Sequence, residues 1–158
     1  MAELGAPTVR RFASSDAPQI AVVFRTAILD IDPELYTSSQ LEAWAARSDA
    51  AELAERCAPA LTWVAEVDGV VVGFIACETD GHIDLAFVHP EYQGLGLART
   101  LYGAMEAEAR GRGWRRLFTE ASHAARPFFE RAGYRVVARN EVRVGDEILV
   151  NWSMEKLL

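Results

Sequence analysis

Residues 61–90, LTWVAEVDGVVVGFIACETDGHIDLAFVHP, limit the fold more than any other stretch of the chain. Two β-rich runs flank Asp68-Gly69. That dipeptide supplies the positive φ angles that a two-residue hairpin turn requires. A third apolar run, GHIDLAFVHP, follows and is stopped by Pro90. Three strands in close succession call for one sheet, and the text on either side supplies its helices.

Upstream, TVRRFA at 8–13 reads as a short edge strand. The run SSDAPQIAVVFRTAIL reads as a helix capped by Asp16 or Ser15, with Pro18 in its first turn and Ile20, Val23, Phe24 and Ala27 on one face. After the loop DIDPELYTSS, Ser38 or Ser39 is placed to cap a second helix, with Glu42 completing a capping box. SDAAELAERCA gives a further short helix. Downstream, a helix is predicted from about Leu97 to Arg110, with core face Leu97, Leu101, Met105 and Ala109 and with Gly111 and Gly113 ending it. RRLFTEA is a strand, SHAARPFFERAGY a short helix ending at Gly133, and the remainder a hairpin turning at Gly145-Asp146. The sum is a single mixed α/β sheet with helices on its faces, in one domain spanning 1–158.

The formal charge is −7 and the composition is 51% hydrophobic. An acidic globular chain is a poor fit to nucleic acid or an anionic membrane, both of which ask for a basic face. It suits a cationic or amine-bearing small substrate. Cys57 and Cys77 lack metal-ligand spacing and read as reduced core thiols. His82 and Asp84 are too few ligands for a metal site, so none is expected. The start MAELGAPTVRRF lacks the pattern of a signal peptide, and no apolar run approaches the ~20 residues of a membrane span. The expected location is the cytoplasm.

Between the strand stopped by Pro90 and the helix begun by Leu97 lies QGLG, residues 93–96. A helix start exposes unpaired N–H groups and the positive end of the helix dipole, and both favour an anion. Glycines there keep side chains out of the anion's way, and Arg99, one turn in, adds a cation. The dinucleotide fingerprint fails because Arg99 stands where a third glycine belongs. The P-loop fails because no Gly-Lys-Ser/Thr follows. By itself the turn is as well explained by structure as by phosphate.

Its neighbours add more. EVDGVVVGFI, then FVHPEYQGLGLARTL, then SHAARPFFERAGY stand in the order and spacing of three motifs of the GNAT superfamily of acyl-CoA-dependent N-acyltransferases, which the span 61–157 resembles. Gln93-Gly94-Leu95-Gly96-Leu97-Ala98 matches that family's pyrophosphate motif, Q/R-x-x-G-x-G/A. Within the family the chain is most similar to a small bacterial group sharing I-D-x-x-F-V-x-P-E-Y and A-x-P-F-F-E-R. The resemblance implies a GNAT-like, mainly antiparallel sheet splayed at the cofactor site. The strand ending at Phe87-Val88 would part from strand 115–121, and pantetheine would lie in the opening as a pseudo-strand on backbone groups near Phe87 and Val88. The amides of residues 94–99 would hold the pyrophosphate, and Ser122, Phe128 and Phe129 would line the other side. It further implies acetyl-CoA as donor, an amine of a small molecule or protein as acceptor, and a homodimer formed through sheet edges.

An amine of pKa about 10.4 costs roughly 4 kcal/mol to neutralise near pH 7.4, so a nearby base helps its attack on a thioester. Asp84 is the first candidate: it stands where many family members carry an acid, and alternation with Ile83 and Leu85 faces it away from that apolar side. His82 shares its face, and Glu120 on the facing strand is a second acid. Tyr36, Trp44 and Trp63 could wall an acceptor cleft, with Asp30 and Asp32 adding negative charge, although Trp63 and Trp152 read better as core. Two departures stand out. Phe129 occupies the place of a tyrosine that in the family protonates the leaving thiolate, and Ser122 stands where asparagine is usual. A thiol of pKa about 8.5 leaves a thiolate deficit of only roughly 1–2 kcal/mol at pH 7–8, and water, Ser122 or His123 could supply that proton. The same departure leaves room for an acyl-CoA-binding module without turnover, and fold versatility leaves room for an interaction scaffold.

Overall fold

The computed structural model describes residues 3–158. In chain order the elements are β1 (Thr8–Arg11), α1 (Ala17–Leu29), α2 (Ser38–Ala45), α3 (Ala50–Cys57), β2 (Leu61–Val67), β3 (Val70–Cys77), β4 (His82–Val88), α4 (Leu97–Gly111), β5 (Arg116–Ser122), α5 (Arg126–Arg131), β6 (Arg135–Val144) and β7 (Glu147–Leu157). The strands form one seven-stranded sheet in the order β1-β2-β3-β4-β5-β7-β6. Every pairing is antiparallel except β4–β5, which is parallel. The mixed, mainly antiparallel sheet expected from the sequence is the one observed, and it is open at both edges.

Each face of the sheet carries its own core. On one, Ile20, Val23, Phe24 and Ile28 of α1, with Leu41 and Leu53 of α2 and α3, pack on Val64, Phe74 and Leu85. On the other, Leu97, Leu101, Met105 and Ala109 of α4 pack on Ala65, Ile75, Leu117 and Met154, joined by Phe129 of α5. All four residues of the expected α4 face are buried. Tyr134, expected to pack, does so: it is buried and accepts a hydrogen bond from the Tyr102 hydroxyl at 3.0 Å. Both hairpin turns fall where the Asp-Gly and Gly-Asp dipeptides put them, Asp68 and Gly69 having φ of 51° and 79°. No helix among the described residues is long and apolar enough to cross a membrane.

Three local expectations are corrected. The cap of α2 is Thr37, not Ser38 or Ser39. Its box partner is Gln40: Gln40 N–H donates to Thr37 Oγ1 at 3.1 Å and Thr37 N–H to Gln40 Oε1 at 2.9 Å. The Thr-x-x-Gln spacing satisfies two orphan donors one residue earlier than the serines could. Asp16 makes no cap bond to α1. Its carboxylate instead accepts Ala13 N–H at 2.8 Å and two guanidinium N–H groups of Arg10 at 2.8 and 2.9 Å, tying β1 to the helix start. Trp152 is half-buried rather than core, with the Arg126 guanidinium 4.3 Å over its ring.

Candidate functional site

The pairing of β4 with β5 stops almost as soon as it starts. Only His82↔Phe118 and Ile83↔Thr119 are in register, and Thr119 Oγ1 closes the junction on Ile83 O at 2.9 Å. Beyond that point the strands part, as the expected splay requires. The register of β4 on β3 also slips there. Ala76 pairs with Leu85 and Cys77 with Ile83, which leaves Asp84 as the extra residue of a β-bulge. Strict alternation therefore fails at the residue for which it was invoked. Ile83 packs in the α4 core and Leu85 in the α1 core, on opposite faces of the sheet. Asp84 faces the α1–α3 side because the bulge re-aims it.

The bulge also decides which backbone groups face the opening. His89 N–H donates to Val72 O at 2.7 Å, toward β3. Alternation along the strand then turns Phe87 toward β3 and turns Ala86 and Val88 toward the gap. Gln93 Nε2 donates to Val88 O at 3.2 Å from that open side. The sequence singled out Phe87 and Val88. The opening is served by Ala86 and Val88, while Phe87 contributes its ring, packed edge-on against Phe24 with centroids 5.0 Å apart.

Three clefts run in series along the opening. The first, of about 390 Å³, lies on the α1–α3 side and is lined by His82, Asp84, Glu120, Ser122, Tyr36 and Trp44 among others. All three candidate catalytic residues and both candidate acceptor-contacting residues therefore meet in one place. The second, of about 510 Å³, shares Ala86, Phe87, Ala125 and Phe129 with the first and continues between Ile31, Leu35 and Phe128. The third, of about 610 Å³, shares Val88, Gln93, Ala98 and Phe128 with the second and is lined by Gly94, Gly96, Leu97 and Arg99. Leu95 does not line it; the residue is 56% exposed. Arg131, not anticipated from the sequence, stands in the third cleft beside Arg99. Asp30 and Asp32 border the second cleft rather than the acceptor side, and Trp63 borders none of the three, packing with the α4 core beneath Arg11.

At the third cleft the chain is arranged for an anion. Gly94 and Gly96 have φ of 80° and 77°, the left-handed region. A Cβ on either would meet nothing within 4 Å, so these glycines serve the turn's conformation more than they clear space. The first bond into α4 is Thr100 N–H to Gly96 O at 3.0 Å. Among the described residues, the amides of Gly94, Leu95 and Gly96 donate to no carbonyl or side chain. Free amides, the dipole of a 15-residue helix and two arginines fit a diphosphate.

At the first cleft a chain of charges runs across the β4–β5 junction. Asp84 is held bidentately by Arg56 of α3, Nε to Oδ2 at 2.9 Å and Nη2 to Oδ1 at 2.8 Å. His82 bridges two carboxylates, Nδ1 to Glu78 at 2.5 Å and Nε2 to Glu120 at 2.9 Å, and stacks on Phe118. Burial alone would lower the His82 pKa, but hydrogen bonds and charge from Glu78 and Glu120 outweigh it and the net shift is upward. Both ring nitrogens of His82 lie against carboxylate oxygens, an arrangement in which the doubly protonated ring donates to each. Ligand atoms of Glu78, His82 and Asp84 lie within 4.8 Å of one another, so Glu78 adds a third potential ligand to the pair seen in the sequence, with both oxygens of Asp84 engaged by Arg56.

The possible proton sources for a thiolate are also placed. Phe129 is 3% exposed and lines the first and second clefts with no polar atom. Ser122 Oγ accepts Ala125 N–H at 3.1 Å, which leaves its own proton to donate into the first cleft. His123 lines none of the three clefts. Burial, then Arg139 and Arg126, push its pKa down, and its Nδ1 accepts Trp152 Nε1–H at 3.1 Å. The Tyr36 hydroxyl is committed, donating to Val150 O at 2.7 Å and accepting His123 N–H at 3.0 Å. Arg56 and Glu78 were not read from the sequence. Glu78 carries the faint signal of sitting four residues before His82; Arg56 lies 28 residues from Asp84 and carries none.

Comparison with known proteins identifies the family. The acetyltransferase (GNAT) domain family matches residues 33–158. The uncharacterized N-acetyltransferase YafP of Escherichia coli K12 is 31% identical over 147 residues, 92% of this chain and 93% of that one. The crystal structure of a GCN5-related N-acetyltransferase (aminotransferase, class II) from Rhodopseudomonas palustris superposes with a TM-score of 0.91 at 36% identity, over 100% of this chain and 99% of the other. The PaiA N-acetyltransferase of Thermoplasma acidophilum, solved in complex with coenzyme A, shares the fold with a TM-score of 0.81 at 17% identity, over 97% and 99% of the two chains. With a family match over most of its length and a relative covering nearly all of it, the chain belongs to the GNAT acetyltransferases.

Proposed function

We propose that residues 1–158 act as one acetyl-CoA-dependent N-acetyltransferase domain that passes the acetyl group directly to a primary amine. The observation that carries this reading is the continuity of the three clefts, from free amides at a helix start to a carboxylate cluster at the strand junction. The diphosphate of coenzyme A is assigned to the amides of residues 94–99 with Arg99 and Arg131. Its pantetheine arm runs along the Ala86 and Val88 backbone between Phe128 and Phe129. The thioester then reaches the first cleft at the β4–β5 junction.

There the amine nitrogen bonds to the acetyl carbon, the carbon–sulfur bond breaks, and two protons must be managed. Glu120 is the better placed base. Both oxygens of Asp84 accept guanidinium N–H groups, one each, whereas the two oxygens of the half-exposed Glu120 carboxylate share the single Nε2–H of His82, at 2.9 and 3.1 Å, which leaves more of its lone pairs open to the cleft. Asp84, forked by Arg56, then serves to fix the β4 bulge that forms the wall of the acceptor cleft. The thiolate takes its proton from Ser122 or solvent, since Phe129 offers none. A cleft of about 390 Å³ falls in the range of small-molecule sites, which favours a small amine over a folded protein as acceptor.

The test is thiol release from acetyl-CoA across a panel of primary amines, with Glu120→Gln as control. Turnover lost in that variant while coenzyme A still binds is the expected result. The apolar Phe129 supports a second reading, an acyl-CoA-binding module without turnover. Calorimetric acetyl-CoA binding with no thiol release from any amine would favour it and sink the first.

A further inference from the structure

The charges lining the first cleft are six: Arg47, Glu52, Arg56, His82, Asp84 and Glu120. Four of them are engaged with one another. Arg56 is forked onto Asp84, and His82 lies against Glu120. Arg47 and Glu52 are left. Among the described residues neither has an ion-pair partner within 4.0 Å, and neither side chain makes a hydrogen bond. In a chain of net charge −7, an acceptor site built for a polycation would present several uncompensated carboxylates. This one presents one free guanidinium and one free carboxylate over a floor whose charged groups are tied to one another.

Arg47 sits two residues beyond the end of α2, where the carbonyl end of the helix stabilises a cation. Its backbone N–H is fixed on Trp44 O at 3.1 Å. Trp44 in turn packs edge-on against Tyr36 and Phe87, with centroids 6.0 and 6.2 Å away, and forms the apolar wall of the same cleft. Arg47 thus lines the same cleft as this aromatic wall, above a floor that holds the acids assigned to the amine. A planar fork of N–H donors matches an oxyanion bidentately.

We infer that the acceptor is an amine bearing a carboxylate, an amino acid or close analogue, with its carboxylate on Arg47, its apolar part on Trp44 and Tyr36, and its ammonium turned to Glu120. This rests on the transferase reading above and narrows its substrate class. Arg47 is then a specificity-determining residue. A charge-assisted, bidentate contact corresponds to about ten- to a hundredfold in affinity.

The experiment compares kcat/KM for matched acceptors: phenylalanine, its methyl ester and phenethylamine, and leucine, its methyl ester and isoamylamine. Phosphoethanolamine is added as a phosphate-bearing arm. The free acids are expected to exceed the esters and decarboxylated amines by about ten- to a hundredfold. Arg47→Gln should bring that ratio near one, and Arg47→Lys should restore part of it. In parallel, binding of the acids to the protein loaded with coenzyme A is measured by calorimetry. Equal use of acids and esters overturns the inference while leaving the transferase reading intact. A preference for the phosphate arm overturns the carboxylate assignment. Acids that bind in an Arg47-dependent way without being acetylated uphold the inference and defeat the transferase reading. No turnover and no binding of any acid defeats the inference.

Discussion

The Arg56–Asp84 pair offers the sharpest test of how the site is built. It joins α3 to the bulge of β4 through two parallel N–H···O bonds of 2.9 and 2.8 Å. The arginine side chain is 41% exposed and the aspartate 19%. Exposed ion pairs contribute about 0.2–1 kcal/mol, and hydrogen bonds to charged groups with limited solvent access about 1.5–3 kcal/mol. With one partner shielded and the other not, a coupling of about 1–2 kcal/mol is expected. A double-mutant cycle of Arg56→Ala, Asp84→Asn and both together measures it by urea denaturation. Each single variant should also melt lower by about 2–8 °C, given about 2–4 °C per kcal/mol for a chain of this size. If the two singles add, with a coupling below about 0.3 kcal/mol, the pair is not the strut described here. The same variants divide the chemistry. A positioning role for Asp84 predicts that Asp84→Asn raises KM for the amine more than it lowers kcat. A loss of kcat by about 10²–10⁴ with KM unchanged would make Asp84 the base and refute the assignment to Glu120.

Three further outcomes follow from named contacts. Gly96→Ala forces a Cβ into the left-handed region at φ 77° without a clash; it should cost about 1–2 kcal/mol of stability and weaken coenzyme A binding, and an unchanged melting temperature with unchanged affinity counts against the turn as described. The His82 pKa is raised by its carboxylate neighbours, so its contribution to stability is full below its unfolded value of about 6.5 and is lost as pH rises through the folded value; the melting-temperature gap between the parent and His82→Gln should therefore be wider at pH 6 than at pH 9, a comparison in which the opposite contribution of His123 cancels. Burial pushes the thiols of Cys57 and Cys77 up to about 11 and about 12, so at pH 8 both should resist alkylation in the native protein and react in urea, as mass spectrometry would show; rapid native labelling would contradict their burial.

Local chemistry wrote much of this protein directly into its sequence. Asp68-Gly69 and Gly145-Asp146 turn where they must because few other dipeptides reach those φ angles. The spacing of Leu97, Leu101, Met105 and Ala109 gave α4 its buried face for the same local reason. The clustering of His82, Asp84, Glu120, Tyr36 and Trp44 in one cleft followed from strand order and the resemblance. Tertiary structure decided what local periodicity could not reach. The bulge at Asp84 depends on how β4 lies on β3, and it reversed the reasoning that had aimed Asp84 into the site. It also transferred the backbone role from Phe87 to Ala86. Arg56 meets Asp84 across 28 residues, and Arg47 reaches the cleft because α2 packs on the sheet through Leu41 and Ala45. Hydrogen bonds between neighbours in sequence leave a pattern of spacing and propensity; contacts closed by packing leave none, because any surface arginine could have filled those places until the fold chose which one faces the acid.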